Sequence, residues 1–356
     1  MNAPWTGLFA GTVSSERMQM RVLRKHGEPL LILPADACLA AKAMSLYPAQ
    51  TWLARTARAI TQIALRNGIP LPLERVEFLW SWENPLAAFV AVQAASAGCP
   101  PCAILAGNAR AAGRRFVIMP FGADGAPAAI IKAGVDAEAR ALIAAEANFL
   151  PSASREGQGL PTLRARLSQD DVEAFCVDYA PGDAPRAATP AQLGKLLTKW
   201  IDTTRIVSVG DVPAWRATFE NRALPPLLAP LIELRFHPAL FHGDFAPWNI
   251  KVHPVNGTWQ VLDWERGALV GMPCWDWLHF EIQNAILVRG ESAATARARL
   301  ERLWNTPVFR EYAQHAGVAG HEPALTMAYL QYCTDVLRPT EGLEVIGDLH
   351  HLLATR

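Results

Sequence analysis

The hydrophobic pattern divides the chain into stretches of different character. Over residues 1–95, Met18–Leu23 and Leu30–Leu33 read as strands around the turn His26-Gly27-Glu28-Pro29. Residues 36–47 and 49–66 read as alanine-rich helices stopped by Asn67-Gly68 and Pro70. Glu77–Trp82 reads as a strand on which Phe78, Trp80 and Trp82 alternate along one packed face. Asn84-Pro85 then predicts a helix start that Gly98 closes. From Cys102 the pattern predicts three strands, at 102–106, 115–121 and 128–132, followed by a helix over 136–150. Residues 151–170 are polar and read as irregular in part, and 173–179 is a further strand broken by Ala180-Pro181-Gly182. After Thr189-Pro190 the period becomes helical, with helices predicted at 190–207, 213–222, 225–235, 276–288, 292–304, 307–316, 321–337 and 342–354.

One stretch interrupts the helices, LFHGDFAPWNIKVHPVNGTWQVLDWE at 240–265. It reads as a loop, a short strand at 250–252, a turn carrying Asn256-Gly257, and a second strand at 259–262. Such a hairpin brings Asp244, Asn249 and Asp263 to one edge. Two carboxylates and an amide oxygen suit a hard cation such as Mg²⁺ bridging phosphates. A carboxylate not used by the metal can take a proton from an attacking hydroxyl. Either aspartate alone would pass as an ordinary turn residue. Three polar positions punctuating the apolar runs ALF, NIKV and WQVLDW are poorly explained that way. The order H-G-D-x-x-x-x-N with a second Asp fourteen residues on parallels the H-R-D-x-x-x-x-N loop and metal-binding Asp of kinases. The stretch points to phosphoryl transfer.

The strand region adds to this picture. Lys132 ends an apolar strand, where an ammonium group needs a partner. Glu146, on the following helix, is favoured over Glu138 because that helix must lie across the sheet to bury its apolar face. Gly107 and Gly113 bound a loop between the first two strands of this region, placed where a nucleotide kinase covers the phosphates. The loop is thin in glycine, and a plain hairpin explains it as well. The break after Tyr179 is a candidate hinge for adenine, with Asp178 and Tyr179 beside it. Neither G-x-x-x-x-G-K-[ST] nor G-x-G-x-x-G occurs, which argues against a P-loop or dinucleotide fold.

Composition narrows the partners. The chain has 356 residues, 51% of them hydrophobic and 19% charged, so a folded protein of one large or two to three small domains is expected. With 33 basic and 33 acidic side chains there is no electrostatic case for nucleic acid or an anionic membrane. Six scattered cysteines form no disulfide framework, and Cys99-Pro-Pro-Cys102 lacks the second pair a zinc site needs. No H-E-x-x-H occurs, and His279, His315, His321, His350 and His351 read as core or surface residues. The first residues lack a signal-peptide pattern and the apolar run 85–97 is too short to span a bilayer, so cytoplasm is the expected location.

Taken together, His242-Gly-Asp-Phe-Ala-Pro-Trp-Asn249, Leu262-Asp-Trp-Glu265 and Gly271-x-Pro-x-x-Asp276 resemble the aminoglycoside phosphotransferase and choline kinase-like family over about 100–290. Lys132 and Glu146 match that family's lysine and helix glutamate. The resemblance implies an α+β protein kinase-like fold, with a small β-rich lobe and a larger helical lobe. On that basis 1–95 is an extra N-terminal α/β segment of unknown role, 96–180 the nucleotide-binding lobe and hinge, and 181–356 the helical lobe with catalytic loop and acceptor site. Asp244 is then the catalytic base, Asn249 and Asp263 hold Mg²⁺, His242 braces the loop and Asp276 supports it. The implied reaction moves the γ-phosphate of ATP, or GTP, to a hydroxyl of a sugar, aminoglycoside or amino alcohol. No acidic run is present to hold a polycation, which leans toward a sugar-like acceptor. A catalytically inactive kinase-like protein that binds nucleotide or serves as a scaffold is the alternative. Protein phosphorylation is disfavoured, because D-F-G and A-P-E are missing.

Overall fold

The computed structural model describes residues 5–12, 16–25, 27–47, 49, 52–107, 113–153, 157–169, 171–185, 189–339 and 342–354. The chain forms two compact units, one comprising Met1–Pro151 with Pro161–Ala180, the other Ser152–Leu160 with Pro181–Arg356.

The first unit contains strands β1 (Glu16–Lys25) and β2 (Glu28–Pro34), helices α1 (Ala37–Ala43) and α2 (Trp52–Arg66), strand β3 (Glu74–Trp80) and helix α3 (Pro85–Gln93). It continues with β4 (Cys102–Ala106), β5 (Arg115–Pro120), β6 (Ile130–Gly134), α4 (Ala137–Ala153), β7 (Leu163–Gln169) and β8 (Val172–Val177). All eight strands belong to one antiparallel sheet, ordered β3-β1-β2-β4-β5-β6-β8-β7. The joint between early and late strands is β2 against β4, where Leu31 pairs Leu105 and Ile32 pairs Ile104. A boundary at residue 95 therefore falls inside this unit, between α3 and β4. One core cluster runs the length of the sheet, from Phe9, Phe78 and Trp80 through Ile104 and Ile118 to Ala174 and Cys176. A second joins Leu31, Leu33 and Met119 to Ala40 and Ala41 of α1 and to Leu65 of α2. Asn84 caps α3 by accepting from the amides of Leu86 and Ala87, and its own amide donates to the carbonyls of Leu8 and Ala10. One side chain thus starts a helix and ties down the N-terminal segment.

Three expectations need correction here. The polar stretch before residue 170 contains β7, an edge strand whose side chains alternate between half-buried and exposed, so it lacks the apolar run that marks a central strand. Lys132 lies at the middle of β6, not at its end. Phe78 and Trp80 are wholly buried, but Trp82 lies beyond β3 and is 46% exposed.

The second unit contains α5 (Pro190–Thr198), α6 (Pro213–Phe219), β9 (Ala239–Phe241), β10 (Ile250–Val252), β11 (Trp259–Val261), β12 (Ala268–Gly271), α7 (Trp275–Gln283), α8 (Ala293–Trp304), α9 (Pro307–Ala316), α10 (Glu322–Tyr332) and α11 (Leu343–Ala354). Around Pro226–Leu231 the expected helix is a 3₁₀ segment, because Pro230 removes an amide donor from its interior. α7 and α10 each run on into a π-helical turn, Asn284–Val288 and Cys333–Leu337. Two small sheets, β10–β11 and β9–β12, stand among these helices. The fold class is α+β, as expected. Among the described residues no helix is long and apolar enough to cross a membrane.

If the first 95 residues share one core with the later strands, emptying their part of it weakens the whole sheet. Phe78 packs its ring against Trp5 and Phe9, at centroid distances of 5.5 and 6.4 Å. Phe78→Ala is expected to cost about 3–5 kcal/mol, the usual loss for a buried phenylalanine. Urea unfolding followed by hydrogen exchange at β6 amides checks this. A loss confined to an early, separate transition would show that the early strands fold apart.

Candidate active site

The second unit's site grows out of the loop between β9 and β10. Phe241 ends β9 and pairs with Ala268 of β12, which fixes where the loop begins. Gly243 follows at φ 78, and a Cβ there would lie 2.9 Å from the Arg266 side chain, so the position requires glycine. Pro247–Asn249 forms a 3₁₀ turn, and β10 then pairs with β11 through Ile250–Val261, Lys251–Gln260 and Val252–Trp259. Just outside that ladder the Leu262 amide donates to the Asn249 carbonyl at 2.7 Å. Asn249 and the residue before Asp263 are therefore direct neighbours. Asp263 itself adopts φ 64, a left-handed conformation uncommon for residues other than glycine, which aspartate tolerates better than most.

Two buried groups hold this loop. The Asp276 carboxylate, in the first turn of α7, accepts from the amides of His242 at 2.8 Å and Gly243 at 3.1 Å. His242, fully buried, donates from Nε2 to the Leu262 carbonyl at 2.7 Å and accepts at Nδ1 from the Asp244 amide at 3.1 Å. Burial pushes this imidazole down to about 4, so it is neutral and its single N–H suits those two bonds. Trp264 packs on the His242 ring at 4.6 Å and on Trp200 at 5.0 Å, and Trp200 meets Phe245 at 5.2 Å. His242 thus links the start of the loop to the end of the hairpin.

Asp244 is held at both oxygens. Asn249 Nδ2 donates to Oδ2 at 3.0 Å and to the Asp244 carbonyl at 2.8 Å. His279 Nε2 lies 3.1 Å from Oδ1. Burial alone would raise this carboxyl, but the His279 hydrogen bond and the nearby Arg266 guanidinium hold it below its ordinary value. It is ionised at neutral pH and can accept a proton. The side chain is 41% exposed, so a ligand can reach it.

Asn249 and Asp263 are the residues here that could hold a Mg²⁺ ion. The Asn249 amide nitrogen is committed to Asp244, which leaves its oxygen for a cation, and Asp263 adds a carboxylate. Among the described residues no group of three or more His, Cys, Asp or Glu could hold a metal by itself.

The first unit carries the other predicted residues. Lys132 Nζ donates to both carboxylate oxygens of Glu146 at 2.7 Å, and the pair is nearly shut off from water. Phe175 of β8 faces the ammonium from 5.9 Å. Gly134 lets α4 come down onto β6, since a Cβ there would lie 2.6 Å from the Ala139 backbone. Gly113, at φ 74, meets the Ala139 amide in the same way, and a Cβ on Gly107 would lie 2.4 Å from the Arg115 carbonyl. Packing within the unit therefore already demands both glycines. The rest of their loop, 108–112, lies outside the described residues. At the proposed hinge, Asp178 is exposed and 3.6 Å from Arg164, and the Tyr179 hydroxyl donates to Ser45 at 3.4 Å. Both side chains are engaged within the first unit.

Sequence reasoning missed His279 and Tyr329. The signal for His279 was its place three residues after Asp276 on one helix, which puts both on one face. Tyr329 carried none, because α10 reaches the site only through tertiary packing. Of the tryptophans on and beside this loop, which could stack on a sugar ring only if exposed, Trp264, Trp275 and Trp277 are wholly buried. Only Trp248 is half-buried.

Compared by sequence, the chain matches no family profile and no curated protein. Among solved structures it is similar to the aminoglycoside phosphotransferase APH(3'')-Id from Streptomyces rimosus, at 18% identity and a TM-score of 0.41, covering 69% of this chain and 97% of that one. It is also similar to a candidate fructosamine-3-kinase from Haemophilus somnus, at 8% identity and a TM-score of 0.45, covering 77% of this chain and 97% of that one. A third is a thermostable mutant of APH(4)-Ia crystallised with ADP and hygromycin B, at 11% identity and a TM-score of 0.41, covering 76% and 98%. At such identities and scores the likeness carries no functional weight.

Asp276 gives a pH signature. Burial pushes its carboxyl up to about 7 from an ordinary 3.8, against the pull of the two loop amides. Between those values the folded protein holds a proton that the unfolded chain has released, so this group's contribution to stability falls as pH rises. Asp276→Asn removes that dependence. The stability difference, wild type minus variant, is expected to be larger at about pH 5 than at about pH 7.5, as read from urea midpoints. An unchanged difference would show that Asp276 is ionised throughout.

Proposed function

We propose that this protein is a small-molecule kinase that transfers the γ-phosphate of ATP to a hydroxyl group. The observation that carries this reading is Asp244, ionised and gripped at both oxygens, beside an asparagine whose nitrogen it occupies. In the second unit Asp244 accepts the proton of the acceptor hydroxyl as the oxygen attacks phosphorus. Asn249 and Asp263 supply the protein oxygens for Mg²⁺, which when bound neutralises charge on the phosphates. In the first unit Lys132, aimed by Glu146, binds nucleotide phosphate; the pairing of strand lysine with helix glutamate is that of protein kinases. His242 and Asp276 hold the loop and take no part in proton transfer.

The acceptor is a sugar, aminoglycoside or amino alcohol, with a sugar-like compound favoured. Net charge is zero and the chain has no acidic run. The buried tryptophans remove ring stacking as a support for the sugar, so the preference rests on charge. GTP in place of ATP is tested in the same assay.

Purified protein with Mg-ATP, screened against sugars, amino alcohols and aminoglycosides, is expected to release ADP with one acceptor class. No release above background with any class would sink the proposal. Asp244→Asn is expected to lower turnover roughly 10²- to 10⁴-fold, the range for a lost general base, with Mg-ATP binding nearly intact. Asp263→Asn is expected to weaken Mg²⁺-dependent nucleotide binding as well as turnover. Calorimetric titration beside the rates separates the two. An Asp244→Asn variant as fast as wild type, or an Asp263→Asn variant that binds and reacts normally, contradicts the assignment.

A further inference from the structure

His279 is buried on α7, one turn beyond Asp276, and both of its ring nitrogens are engaged. Nε2 lies 3.1 Å from Asp244 Oδ1, and Nδ1 lies 2.5 Å from the hydroxyl of Tyr329 on α10. An ionised carboxylate has no hydrogen to give, so the hydrogen between His279 and Asp244 sits on Nε2. Nδ1 then faces the Tyr329 hydroxyl, which can donate to it. Burial raises that hydroxyl well above its ordinary 10, so it keeps the proton it donates. The rings meet edge to face, with centroids 6.0 Å apart and planes at 85°.

Loop geometry alone does not require this chain of contacts. Asp276 and His242 already hold the backbone of the loop, and His279 touches neither of their bonds. Among the described residues, its one polar partner toward the loop is the Asp244 carboxylate. An apolar side chain would fill the same place without bringing two polar nitrogens into the core, where each must find a partner. Asn249 holds one carboxylate oxygen and His279 the other, which leaves no free rotation about the Asp244 side chain.

We propose that His279, held on its other side by Tyr329, is a positioning residue that locks the Asp244 carboxylate in the one orientation from which it takes the acceptor's proton. Misorienting a reacting group by a fraction of an ångström slows the chemical step without changing nucleotide binding. The inference rests on the kinase reading, in which Asp244 is the base.

The test uses the full chain and Mg-ATP, with water as acceptor and then with the best compound of the screen. His279→Leu is expected to lower kcat about 10- to 100-fold with KM for Mg-ATP within about 2-fold. His279→Gln, whose amide N–H reaches the same oxygen, should recover to within about 5-fold of wild type, and Tyr329→Phe should lose about 3- to 10-fold. In the Asp244→Asn background His279→Leu should cost nothing further, since there is no base left to orient. Nitrogen-15 spectra of histidine-labelled wild type should show His279 with its hydrogen on Nε2. Wild-type turnover by His279→Leu, an undiminished loss in the Asp244→Asn background, or a hydrogen on Nδ1 would each overturn the inference. Should Asp244→Asn itself match wild type, the kinase reading falls. A large effect at Asp244 with none at His279 removes this inference alone.

Discussion

A single carboxylate, Asp276, receives the two backbone amides at the entrance of the loop after β9. Those amides belong to His242 and Gly243, and everything chemical follows within a few residues. With the entrance pinned, His242 reaches the carbonyl before Asp263, Asn249 reaches Asp244, and the hairpin closes on Asn249 through Leu262. Each bond uses a group the previous one has placed. The burial of Asp276 is the cost of this order, because a carboxylate in the core is stable there only through the amides it accepts.

The loop was the most legible part of the sequence. Its polar residues interrupt apolar runs at fixed offsets, and Asn256-Gly257 marks the hairpin turn, so local chemistry alone placed Asp244, Asn249 and Asp263 near one another. Lys132 and Glu146 were legible for a different reason: an ammonium in an apolar strand must find an anion, and the next helix offered one. The less legible features depended on long-range packing. β7 has no apolar run because it lies at a sheet edge. The union of the early and late strands depends on Leu31 and Ile32 meeting Leu105 and Ile104, which no short window reveals. Asp178 and Tyr179 read as hinge residues from a strand followed by a break, but their side chains turn to Arg164 and Ser45.

The early strands lengthen the sheet on the far side of β4 and do not touch β6. β6, with Lys132, has strands on both sides, and the core on one face extends unbroken from Trp5 to Cys176. The first 95 residues cover the edge of β4 that would otherwise present unpaired amides and carbonyls, a common origin of edge-to-edge aggregation.

Asp263 holds a left-handed backbone at φ 64, where glycine would be at ease. Such a conformation costs of order 1 kcal/mol or more for a residue with a Cβ. Replacing it with glycine would relieve that strain while deleting the carboxylate that, on the proposed reading, the metal needs. Selection for heat tolerance alone would drift toward that substitution, and selection for turnover would reverse it. On the proposed reading, the position is thus a place where robustness and chemistry pull a single codon in opposite directions.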